Sequence, residues 1–153
     1  MLIREMIEND LEQVAELEKH CFGASAWSLN AFRGVLSDKN ALYLTATEEA
    51  DGVAAVIGCC GVWQSFEDGE IMNVMVRPEY RRNGCAAMLL RELFRLGNQR
   101  GIENYTLEVR EGNSAAIRLY ESLGFSSAGI RKNFYDDPKE NAVIMWKRKE
   151  MEL

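Results

Sequence analysis

The chain has 153 residues, enough for one domain with a substantial buried core, and 47% apolar against 27% charged residues is an ordinary globular balance. A formal net charge of −6 argues against nucleic acid as the main partner and leaves room for a basic one. The longest nearly apolar run, Val53 to Trp63, is too short to cross a bilayer, and a single histidine leaves a tetrahedral metal site almost without ligands, so neither a membrane nor a metal is expected.

The opening segment MLIREMIEND carries charges where a signal peptide needs its apolar stretch, so a cytoplasmic protein is expected. The four cysteines, Cys21, Cys59, Cys60 and Cys85, form no C-x-x-C pair and read as small buried hydrophobes in a reducing compartment. With no repeat, low-complexity tract or linker, residues 1–153 read as one domain.

In chain order, LIREM reads as a first strand. DLEQVAELEKHCF follows with Leu11, Val14, Leu17 and Cys21 at helical spacing behind Asp10 as the expected cap. A second helix starts at Ser28, with Trp27 before the cap and Phe32 at the fourth helical position as a hydrophobic staple. ALYLTATEE and VAAVIGCCGVWQS read as strands joined around Asp51-Gly52. EIMNVMV is a further strand, ended by Pro78. A long helix from about Gly84 to Asn98 carries Met88, Leu89, Leu93 and Leu96 on its apolar stripe. YTLEV is a strand, and NSAAIRLYESLG is a helix capped by Asn113 and closed by Gly124. Two last strands fall near 126–135 and 142–148. Strand–helix–strand with a crossover helix requires at least one parallel pair, so the expected class is α/β or α+β with a mixed sheet.

RRNGCA, residues 81–86, joins an apolar strand to the long helix. A helix N-terminus leaves N–H groups unpaired and carries about half a positive charge, so a loop exposing further N–H groups makes it an anion cradle. Gly84 permits a backbone conformation closed to other residues, Ala86 permits close approach, and Arg81 and Arg82 can add charge-assisted contacts. Taken alone, the six residues are equally compatible with a plain turn and a solvated basic patch. Neither G-x-x-x-x-G-K-[ST] nor G-x-G-x-x-G occurs, which disfavours nucleoside triphosphates and dinucleotides.

VMVRPEYRRNGCAAMLL resembles the acetyl-CoA signature of the GNAT superfamily of N-acetyltransferases: an apolar strand followed by [R/Q]-x-x-G-x-[G/A], met here by Arg81, Gly84 and Ala86. LEVREGNSAAIRLYESLGF, CFGASAWS and RKNFYDD extend the similarity over nearly the whole chain, toward the bacterial ribosomal-protein-alanine N-acetyltransferases. This resemblance implies a mixed, mostly antiparallel sheet of about seven strands with about four helices, and pantetheine bound at a splay between parallel strands. The anion would then be the pyrophosphate of coenzyme A. Val74, Met75 and Val76 would offer backbone groups to the pantetheine arm. Arg82, Asn83, Gly84, Cys85, Ala86 and Ala87 would wrap the pyrophosphate, beside Arg81, and Asn113 would contact pantetheine. Glu108 matches the family's proton acceptor and Tyr120 its proton donor. Cys85 is unusual in that loop. A thiol at a helix N-terminus can have a lowered pKa, so its oxidation would block the cofactor, although an inert small residue is the simpler role.

The implied partners are acetyl-CoA as co-substrate and the basic N-terminus of a ribosomal protein. An α-amine with a pKa of about 7.7–8.0 becomes neutral at pH 7 for about 1 kcal/mol, whereas a lysine near 10.4 costs about 4.6 kcal/mol. One carboxylate therefore serves the α-amine more easily, which favours an N-terminal acceptor and excludes nothing. The acidic loops Phe66 to Glu70 and Tyr135 to Glu140 could face a basic peptide, with Asp68, Asp136 and Asp137 as its contacts, or could be ordinary solvated turns. Acetylation of a small-molecule amine remains the alternative, as does a non-catalytic acyl-CoA-binding module. The presence of both Glu108 and Tyr120 speaks against the module.

Overall fold

The structure, a computed structural model, describes residues 1–149. Among them the order is β1 (Leu2–Glu5), α1 (Leu11–Phe22), α2 (Leu29–Leu36), β2 (Ala41–Ala50), β3 (Val53–Ser65), β4 (Asp68–Val76), α3 (Cys85–Gln99), β5 (Asn104–Arg110), α4 (Ser114–Ser122), β6 (Ser126–Asp136) and β7 (Lys139–Lys147). The strands form one sheet in the order β1-β2-β3-β4-β5-β7-β6. Every neighbouring pair is antiparallel except β4 and β5, which the crossover helix α3 makes parallel. The sequence therefore implied the right class, strand number and helix number.

Period-2 burial gives the sheet two apolar faces, and the helices divide between them. Leu89, Leu90, Leu93 and Phe94 of α3 pack with Leu44, Ile57, Val62 and Leu107, joined by Tyr120 and Phe125. On the other face Leu11, Val14 and Leu17 of α1 and Phe32 of α2 cover Tyr43, Val56, Cys59 and Met75. Leu93 is fully buried, and truncating such a side chain to alanine costs about 2–5 kcal/mol, so these faces fix the strands that carry the site.

Local starts follow the sequence with one exception. The Ser28 hydroxyl accepts from the Ala31 N–H at 3.2 Å, and the Trp27 and Phe32 rings sit 5.4 Å apart, as the staple requires. Asn113 accepts from the Ala116 N–H at 3.2 Å. Asp10 does not cap α1 through its side chain. Its carboxylate instead takes both guanidinium arms of Arg4, at 2.7 and 2.8 Å, and the Ile7 N–H at 2.9 Å. Two ionic contacts backed by a backbone N–H outweigh the single backbone contact that a cap would supply. Strand β7 also begins earlier than its apolar residues implied, because the turn after Asp136 is tight enough for Lys139 to pair with it.

Candidate active site

The sheet is interrupted at one place. β4 and β5 pair only through Asp68 with Asn104, Gly69 with Tyr105 and Glu70 with Thr106. Just beyond, the register of β4 against β3 slips, with Asn73 opposite Gly61 and Ile71 opposite Val62, so Met72 is an extra residue. A bulge bends its strand. From there to their C-terminal ends β4 and β5 diverge, leaving a gap whose two walls are residues 71–76 and 107–110. This is the splay that the resemblance implied.

The wall along β4 offers backbone. Met75 and Val76 are buried and Val74 half-buried, their side chains committed to the two cores, so main-chain groups remain for a ligand. The chain then turns through Pro78–Tyr80 into the N-terminus of α3. Arg82 (φ +67°) and Gly84 (φ +77°) both take the left-handed conformation, and α3 has no side-chain cap. Among the described residues the backbone N–H groups of 82–87 donate to no acceptor in the chain. A Cβ built on Gly84 would meet no atom within 4 Å, so the concavity is open. Arg82, Asn83 and Gly84 are exposed, and Ala86 and Ala87 are half-buried. Arg81 behaves differently. Its guanidinium donates to the Val76 carbonyl at 3.0 Å and reaches the Cys21 sulfur at 3.6 Å, so it fastens the loop to β4 and α1. Cys85 is buried, and burial pushes its thiol up, with Glu48 adding to the shift. The lowered pKa that a helix N-terminus can confer is thus overridden by desolvation, and the thiol is protected rather than reactive.

The wall along β5 offers side chains. Tyr105, Leu107 and Val109 point into the α3 core, so Glu108 points to the opposite face. Its carboxylate is half-buried and accepts from Arg131 of β6 at 3.0 Å. Burial raises its pKa most, Glu70 raises it further, and Arg131 opposes both. Tyr120, on α4, is buried with its ring 5.9 Å from Phe125. Its pKa is pushed up to about 12, chiefly by burial, so it keeps its proton throughout the neutral range. Its hydroxyl has no protein partner among the described residues, yet is not sealed from solvent. Tyr135 of β6 lies near enough to influence both groups: Glu108 raises its pKa, and it raises that of Tyr120.

Two further sets of contacts frame the gap, and residue spacing gave no sign of either. Glu18 of α1, almost wholly buried, accepts from the Trp27 N–H at 2.6 Å and from the Asn73 side chain at 3.1 Å. It ties the loop between α1 and α2 to β4 beside the bulge, and Asn73 in turn accepts from the Tyr43 hydroxyl. Arg110 is clasped by the β6–β7 turn, donating to Pro138 O at 2.9 Å, Glu140 at 3.1 Å and Asp137 O at 3.2 Å. Its guanidinium also lies 4.3 Å from the centre of the Tyr135 ring. Of the acidic residues considered as peptide contacts, Asp136 and Asp137 lie on that turn, near the open end of the gap. Asp68 does not. It sits at the closed end of β4, bound by Asn104 at 3.0 Å, and four residues of strand place it about 13 Å along from Glu108.

The sequence of this frame matches the model of the "Acetyltransferase (GNAT) family" over residues 6–125, which includes α3, β5 and α4. It is 36% identical over 138 residues to the ribosomal protein bS18-alanine N-acetyltransferase of Escherichia coli (strain K12), covering 89% of each chain. It is 33% identical over 148 residues to the enzyme of that name from Haemophilus ducreyi, covering 94% of this chain and 97% of the other. The crystal structure of the Escherichia coli ribosomal-protein-S18-alanine N-acetyltransferase superposes with a TM-score of 0.85 at 30% identity, over 99% of this chain and 96% of that one. An aminoglycoside 6'-N-acetyltransferase crystallised with coenzyme A reaches the same TM-score of 0.85 at 14% identity, over 100% of this chain and 99% of that one, a likeness of fold alone. The chain that builds this gap is thus matched in sequence as well as in shape: it belongs to the GNAT family of acetyltransferases, enzymes that use acetyl-CoA.

Proposed function

We propose that this enzyme acetylates the N-terminal α-amino group of a protein, namely the N-terminal alanine of ribosomal protein bS18, in the cytoplasm. The observation that carries the proposal is the placement of Glu108 on the open wall of the gap, in a chain 36% identical to an enzyme named for that reaction. The residues present suit the donor. A run of unpaired N–H groups around a left-handed glycine fits a pyrophosphate, and the unpaired edge of β4 fits an amide-bearing arm.

Bound acetyl-CoA supplies the acetyl group as a thioester, and the chain's own residues do the rest. The backbone of Val74, Met75 and Val76 holds the arm, and Asn113 holds it from the α4 side. Arg82, Asn83, Gly84, Cys85, Ala86 and Ala87 hold the pyrophosphate through main-chain N–H groups, with Arg82 adding charge and Arg81 holding the loop in place. Glu108 takes a proton from the acceptor's ammonium, directly or through a water. The freed lone pair forms the N–C bond as the C–S bond breaks. Tyr120 gives its hydroxyl proton to the departing sulfur and is reprotonated through solvent as the new amide nitrogen sheds its second proton. A basic second residue in the acceptor would face Asp136 and Asp137 on the β6–β7 turn.

The test is incubation with acetyl-CoA and a peptide beginning Ala-Arg, with the modified atom located by tandem mass spectrometry. Acetyl on the α-nitrogen is expected. The same peptide with a blocked N-terminus and an internal lysine should stay unmodified. Label on lysine, or only on a polyamine offered in competition, would overturn the N-terminal assignment.

A further inference from the structure

Glu108 and Arg131 lie on strands separated by β7. Glu108 pairs with Ile144, and Ile144 with Gly129, so the β6 residue directly across from Glu108 has no side chain. Arg131 is opposite Ala142, another small residue, and reaches diagonally over β7 to bring Nη1 within 3.0 Å of Glu108 Oε1. Arg110, two residues from Glu108 on its own strand, is unavailable because Glu140, two carbonyls and the Tyr135 ring already hold its guanidinium. Arg131 is loosely held by comparison. Its side chain is 56% exposed, and among the described residues it has, beyond the Glu108 pair, only a distant stacking on Phe134, at 5.4 Å. An ion pair this exposed is weak, enough to orient a carboxylate and little enough to be displaced.

A carboxylate that takes a proton from an ammonium has two opposed needs. It must be ionised before the acceptor arrives, although half-burial and the neighbouring Glu70 favour its neutral form. It must also be free to meet the ammonium, which a rigid counter-ion would forbid. We propose that Arg131 is a displaceable counter-ion of Glu108, aiming the carboxylate while the acceptor is absent and giving way to the acceptor's ammonium. When Glu108 has received the proton, Arg131 returns and favours release of that proton to water. Arg131 is therefore a positioning residue. Its role rests on Glu108 being the proton acceptor. Among the described residues, the charged and titratable groups that face Glu108 are Arg131 and Tyr135 from β6 and Glu70 from β4, and Arg131 is the only cation in that set.

The experiment is the pH profile of kcat/KM with an Ala-Arg peptide for the wild type, Arg131→Gln, Arg131→Lys, Arg95→Gln and Glu108→Gln. The acid limb of kcat/KM reports the free enzyme's base. Removing the cation should move that limb to higher pH, because the carboxylate then holds its proton more tightly. At pH above the limb, KM for the peptide should fall several-fold, because no cation has to be displaced. Arg131→Lys should return the limb toward the wild-type position. Arg95→Gln, the same charge change on α3 at a side chain paired with Glu92, should leave it in place. A limb unmoved in Arg131→Gln, a KM that rises, or an equal move in Arg95→Gln would overturn the proposal. Glu108→Gln separates the two levels. If it is slowed while the Arg131→Gln limb stays put, Arg131 alone loses its role. If it keeps the wild-type rate and limb, Glu108 is not the base and the role of Arg131 falls with it.

Discussion

Two strand-to-helix turns leave the parallel strands at the same end of the sheet, and they are made of different materials. The turn from β5 into α4 is closed by its own side chain, Asn113 taking the Ala116 N–H at 3.2 Å. The turn from β4 into α3 has no such cap, only a left-handed Gly84 at φ +77°. An N-cap is worth about 1 kcal/mol, and α3 forgoes it. A helix whose N-terminus has only to be stable satisfies its own amides, whereas one that serves an anion leaves them free. On the function proposed above, the β4–α3 arm works through its backbone and the β5–α4 arm through the side chains of Glu108 and Tyr120. Damage to the first should then appear in donor affinity and damage to the second in rate.

The largest effect is expected on the side-chain arm. Glu108→Gln should slow acetylation at neutral pH by about 10²–10⁴, the usual contribution of general acid–base catalysis. The sign with pH is set by the raised pKa of Glu108: burial and Glu70 lift it above the ordinary carboxylate value. Wild-type kcat/KM should therefore begin to fall, as pH is lowered, earlier than for a solvent-exposed glutamate. The defect of the variant should shrink at high pH, where the amine loses its proton unaided. Tyr120→Phe should lower kcat while acetyl-CoA affinity holds, since its proton matters only as the thiolate leaves. Steady-state rates and calorimetric binding on the same preparations check both. If either variant loses donor binding instead of rate, the division between the arms is broken.

Next comes the backbone arm. Gly84→Asn and Gly84→Asp share a shape, and both tolerate the left-handed conformation better than most residues, so their folding cost is comparable at about 1 kcal/mol. No atom lies within 4 Å of the added Cβ, so neither should clash with the protein itself. Only aspartate places a negative charge where the phosphates would sit. Acetyl-CoA binding by calorimetry should weaken by about 100-fold or more for aspartate and by much less for asparagine. Equal affinities in the two would mean that the loop reads no anion.

The two arms also differ in how openly the sequence announces them. Small residues at fixed spacing are almost the whole specification of the α3 loop, so Gly84 and Ala86 could be recognised without coordinates. Glu108 and Tyr120, the groups proposed for proton transfer, were pointed to by the resemblance alone, because a glutamate on a strand and a tyrosine on an apolar helix face are unremarkable by periodicity. Arg131 was hidden. Its contact with Glu108 exists only because β7 inserts between β5 and β6, and the strand order is not the chain order. Slips of register near Gly129 and between Arg131 and Tyr135 also decide which residues of β6 face the gap. Asp68 misled for a related reason: its loop is acidic, but the parallel register puts it at the closed end of the gap. For Cys85 the sequence shows a helix terminus and not burial, so it left a reactive thiol open beside the inert residue it favoured, and burial supports the inert one.

The smallest effect falls on Asn113, where the two arms meet. Its Oδ1 caps α4, while its amide Nδ2 has no acceptor among the described residues and is the atom proposed to touch the donor. Asn113→Ala removes both functions. The lost cap should cost about 1 kcal/mol, which for a chain of this length lowers the melting temperature by about 2–4 °C. Asn113→Asp keeps an oxygen for the Ala116 N–H and adds a negative charge that the helix N-terminus favours, so its melting temperature should match or exceed that of the wild type. Both substitutions remove one neutral hydrogen bond to the donor, worth about 0.5–1.5 kcal/mol, or roughly 2–10-fold in affinity. Thermal melts and acetyl-CoA titrations therefore separate the two duties of one side chain. An aspartate variant that melts like the wild type and binds donor like the wild type would make Asn113 a cap and nothing more, and would leave α4 contributing to the reaction through Tyr120 alone.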